Sequence, residues 1–92
     1  MRVSEFNQRY ESIELGLINL SVCPILCIRG LAEVYLKALY AIKEHIRLEG
    51  EGVIVPKVRT EYLGTLTFNE LEQFVSNNEE VLIQIKKQTI VR

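Results

Sequence analysis

Residues 17–28 read LINLSVCPILCI, and their conformation decides the fold. They can close one helix and open another through the break at Cys23-Pro24, because proline has no N–H to donate and restricts the residue before it. They can equally form a buried strand, being rich in Ile, Leu and Val. A continuous apolar run carries no period that separates the two. The flanks must choose.

On the N-terminal side, Val3, Phe6, Tyr10, Ile13, Leu17 and Leu20 follow one another at steps of 3, 4, 3, 4 and 3. That is an unbroken helical stripe. Ser4 is the expected N-cap. Gly16 detracts from the helix only through its propensity. On the C-terminal side, Leu31, Val34, Tyr35, Ala38, Ala41, Ile42, His45 and Leu48 share one broad face of a helix over 30–48, extended by Leu39 and Ile46. Ala38 is small enough to let another element approach closely. Glu33 and Lys37 form an i,i+4 pair on the polar side, where Leu36 and Tyr40 also lie. So much apolar surface suggests a second contact face. Gly50 is a natural C-terminal cap.

Beyond Gly50-Glu51-Gly52 the pattern turns strand-like. VIVPKVR (53–59) and EYLGTLT (61–67) are β-branched and aromatic, with Pro56 marking an edge or bulge. Thr67, with Glu70 three residues on, caps a short helix over 68–76 that ends at Asn77-Asn78. In EVLIQIKKQTIV (80–91), Val81, Ile83 and Ile85 alternate with Gln84, Lys86 and Gln88, which predicts a last strand. The expected fold is α+β: a helical hairpin (4–22, 25–48) followed by a small antiparallel β-β-α-β unit. The alternative takes 17–28 as a strand and gives a ferredoxin-like βαββαβ order with an N-terminal helix.

The chain has 92 residues, 48% hydrophobic, which suits one domain over 1–92. A chain this short buries only about 60–65% of its unfolded surface and gains from associating. Lys and Arg number 11 against 12 acidic residues, all of them Glu. A net charge of −1 argues against a bulk electrostatic grip on nucleic acid or anionic membrane. Leu15 to Ile28 carries no charge in 14 residues, yet a transmembrane helix needs about 20. Leu20-Ser21-Val22-Cys23 has Val22 where a lipoprotein box wants a small residue, and the N-terminus lacks the positive region of a signal peptide. The run therefore reads as buried core, and the protein as cytoplasmic.

Catalytic chemistry finds little to work with. No Gly-rich phosphate loop, HExxH, nucleophile elbow or paired-carboxylate motif occurs. Cys23 and Cys27 are separated by three residues, where thioredoxin-like chemistry uses two, and a zinc site would need further ligands. Both are read as small buried hydrophobes. His45, the single histidine, reads as a packed or interface residue, since no orienting carboxylate is assignable. No catalytic residue, cofactor or metal is expected.

Two stretches resemble known families. VPKVRTEYLGTLTFNEL (55–71) resembles the part of glutaredoxins that follows their cis-proline, although the cysteine pattern and second strand are not where that family has them. ILCIRGLAEVYLKALY (25–40) and EVLIQIKK (80–87) resemble the first strand and helix, and the last strand, of Alba-type nucleic-acid-binding proteins. That family's Gly-basic-Ala-Ile stretch and basic balance are absent. This second resemblance implies nucleic-acid binding.

The function expected is that of a small non-enzymatic regulatory or accessory protein working through protein–protein contact as a homodimer, with an unidentified protein as a further partner. The two helices would supply the interface through Phe6, Tyr10, Ile13, Leu17, Tyr35, Ala38, Leu39, Ile42, His45 and Ile46. The alternative is a nucleic-acid module on a basic face of the C-terminal sheet, using Lys57, Arg59, Tyr62, Lys86, Lys87 and Arg92. No membrane partner is expected.

Overall fold

The stripe at 3–20 does form a helix, and the turn after it is a break between helices. The computed structural model describes residues 2–50 and 55–90, with side chains through Gln84. Helix α1 spans Val3–Ser21 and α2 spans Leu26–Glu49. Between them the chain leaves α1 through bonds that reach back only three residues, from the Val22 and Cys23 N–H groups to the Asn19 and Leu20 carbonyls. The Ser21 hydroxyl donates to the Ile18 carbonyl at 2.6 Å. Pro24 precedes Ile25, the extended residue that caps the start of α2. Residues 17–28 contain no strand, which removes the ferredoxin-like order.

All six residues of the N-terminal stripe are buried. Phe6, Tyr10, Ile13 and Leu17 face Ala38, Leu39, Ile42 and Ile46 of α2 in one core cluster. Helix α1 begins two residues earlier than a cap at Ser4 would place it. Arg2 is the cap, and it contributes its carbonyl rather than a side-chain bond, accepting from the Phe6 N–H at 3.2 Å. Gly50 ends α2 as expected, at φ 93°, with its N–H on the Ile46 carbonyl.

Strands β1 (Val58–Thr60) and β2 (Gly64–Leu66) make a two-stranded antiparallel ribbon, pairing Val58 with Leu66 and Thr60 with Gly64. The turn at 61–63 falls inside the expected second strand. Two local features put it there. Gly64 takes φ 69°, the left-handed conformation that short hairpin loops use. The Thr60 hydroxyl accepts from the Leu63 N–H and donates to the Gly64 carbonyl. Val53 and Ile54 lie outside the described residues, and 55–57 are not strand. The ribbon packs on α2 beside Val34, Ala38 and Ala41, as the small residue at 38 suggests.

Helix α3 spans Phe68–Asn77, and the Thr67 hydroxyl accepts from the Glu70 N–H at its start. It runs in the same direction as α1. Phe68 meets Phe6 edge-on with ring centres 4.8 Å apart, Glu72 pairs with Arg9 at 3.2 Å, and Val75 lies over Gly16. On its other side Phe74 packs on Tyr35 of α2 at 4.3 Å.

The last element departs from expectation. Residues Glu79–Ile90 form helix α4, not a strand. Leu82 breaks the apparent alternation, and Glu, Gln, Leu and Lys are good helix formers. Glu79 and Glu80 sit at the N-terminus, where the helix dipole favours them. The Asn78 amide donates to the Phe74 carbonyl, and the Asn78 carbonyl accepts from the Leu82 N–H, so one residue joins α3 to α4. The architecture is α+β: two long helices, a two-strand antiparallel sheet and further helices. Among the described residues there is neither the first nor the last strand that the Alba-type resemblance requires, and the one sheet is the two-stranded ribbon, which does not supply the sheet of a glutaredoxin.

Candidate functional site

The residues expected to meet a partner are mostly inside the chain. Phe6, Tyr10, Ile13, Leu17, Ala38, Leu39, Ile42 and Ile46 are buried, because the stripes of α1 and α2 cover one another. Tyr35 is half-buried against Phe74. His45 is exposed, and so are Leu31 and Leu48. The broad apolar face of α2 is narrower than its sequence implies, and α1, the ribbon and α3 share it.

The basic set is not assembled on a sheet. Lys57, Arg59 and Tyr62 are exposed on and beside the ribbon. Positions 86 and 87 belong to α4, so Lys86 and Lys87 cannot extend a sheet face. Their side chains lie outside the described residues, as does Arg92 altogether.

One polar cluster bridges the two long helices. The Tyr10 hydroxyl donates to Glu14 at 3.1 Å, and the Lys43 ammonium sits 3.8 Å above the Tyr10 ring. Burial, the bond to Glu14 and that carboxylate's charge push the Tyr10 hydroxyl up to about 12. Burial and Glu14 also raise the Tyr40 hydroxyl. Both phenols are therefore held neutral, which suits packing rather than proton transfer near neutral pH. The exposed Glu44 carboxyl is held down by the Arg47 guanidinium one turn on.

Two open grooves flank α1. One, of about 730 Å³, lies between α1, α3 and α4 and is lined by Leu15, Asn19, Glu72, Val75 and Ile83 among others. The second, of about 540 Å³, runs between the start of α1 and the end of α2, past Phe6, Tyr40, Lys43 and Arg47. His45 lines neither. Among the described residues no three His, Cys, Asp or Glu side chains cluster as metal ligands would. Both cysteines are free thiols. Cys23 is buried as expected, but Cys27 is exposed, because it falls in the first turn of α2 beyond the cover of α1. No described helix is long and apolar enough to cross a membrane.

The feature that sequence reasoning missed is the turn end of the hairpin. The charge-free run 15–28 reads as core, but much of it is surface. Leu15, Ile18, Val22, Ile25, Leu26 and Leu31 are all exposed, Val22 to 69% and Leu26 to 68%. Beneath them Leu20, Cys23 and Ala32 are buried but stand outside the main cluster. The signal was present. Leu15 and Ile18, with Val22 just past the end of α1, are spaced i, i+3, i+7, on one side and off the core stripe. Compared with known proteins, the chain matches no family model, no curated protein and no solved structure.

Proposed function

We propose that this chain is a small accessory or regulatory protein that acts through protein–protein contact in the cytoplasm and performs no chemistry of its own. The observation that carries this reading is the exposed apolar turn end of the α1–α2 hairpin. Large apolar side chains left exposed close together on a small chain suit an interaction site. Two free cysteines fit a reducing compartment.

The exposed Cys27 thiol lies at this turn and Cys23 is buried, so an environment-sensitive fluorophore can be placed at Cys27 alone. Protein contact predicts a blue shift of the label when nucleic-acid-free host protein extract is added, or when the pure chain is concentrated. A label that responds only to RNA or DNA, or to nothing, overturns the reading.

A further inference from the structure

We draw no further inference here: the strongest candidate, the open groove of about 730 Å³ between α1, α3 and α4, is walled by apolar and acidic side chains together, Leu15 and Ile83 beside Glu72 and Glu79, and nothing in the structure shows what covers it.

Discussion

Gly16 shows how one residue admits a neighbouring helix. A Cβ built there would stand 2.8 Å from Val75 Cγ1, closer than side chains pack. Val75 is β-branched and has little rotamer freedom on a helix, so it cannot swing away. Gly16→Ala gains about 1 kcal/mol in helix propensity but overpacks the α1–α3 contact, at about 1–3 kcal/mol. A net loss near 1 kcal/mol in urea unfolding is expected, and it should vanish or reverse when Val75→Ala is also present. Greater stability of Gly16→Ala in the Val75 background would refute this account of the contact. Tyr10 makes a second residue-scale prediction. Its hydroxyl is raised to about 12 in the folded chain, above the ordinary value near 10. The neutral phenol is favoured by folding, so its contribution is complete below pH 10 and fades as pH rises from 10 towards 12. Tyr10→Phe keeps the ring against Phe6 and Lys43 and loses the bond to Glu14. It should cost about 1 kcal/mol at neutral pH and should flatten the decline of stability between pH 10 and 12. An unchanged alkaline profile would show that Tyr10 is not the linked group.

At the scale of elements, the ribbon and α4 were hardest to read from sequence. The hairpin turns on Gly64, whose φ of 69° penalises a side chain, although nothing lies within 4 Å of an added Cβ. Gly64→Ala should therefore cost about 1–2 kcal/mol through backbone strain alone, and Gly64→Asn distinctly less, since Asn tolerates that conformation. Equal losses for the two would point to a packing cause. The sequence around 61–63 has no Asn-Gly or Gly-Gly signal, and the bonds from the Thr60 hydroxyl that shape the turn cannot be seen in a pattern of apolar residues. For α4, Val81, Ile83 and Ile85 satisfied a period of two only if Leu82 was ignored. Short apolar runs leave helix and strand undecided. Here Asn78 carries the chain directly from one helix into the next, and α4 lies beside α1.

For the whole molecule, the central question is which apolar surface faces inward. Phe6 is 1% exposed and packs on Tyr10 and Phe68. Phe6→Ala should cost about 3–5 kcal/mol, a large share of the 5–15 kcal/mol that holds a domain together. Thermal unfolding should show a collapse of stability at any protein concentration. A folded chain that has merely lost self-association would return Phe6 to the interface that its stripe first suggested. The molecule is long, 45 × 27 × 18 Å, because α2 alone runs about 36 Å at 1.5 Å per residue. An elongated chain covers less of itself, and the hairpin turn is one of the places left open.

The helical period of residues 3–20, the break at Pro24, the helix ending at Gly50 and the capped helix after Thr67 were all determined by local sequence. Each depends on contacts within a few residues, through stripe spacing, a missing N–H, a positive φ or a hydroxyl at a helix start. Tertiary structure decided the rest. Whether Leu17 or Leu15 is buried, whether Ala38 meets a ribbon, and whether His45 faces the core depend on which other element reaches that side of the helix. An apolar residue has the same affinity for its own core as for a partner's surface. Sequence therefore marked the surfaces that must leave water, and only the packed chain showed that the α1–α2 stripes cover one another while apolar residues between 15 and 31 stay exposed.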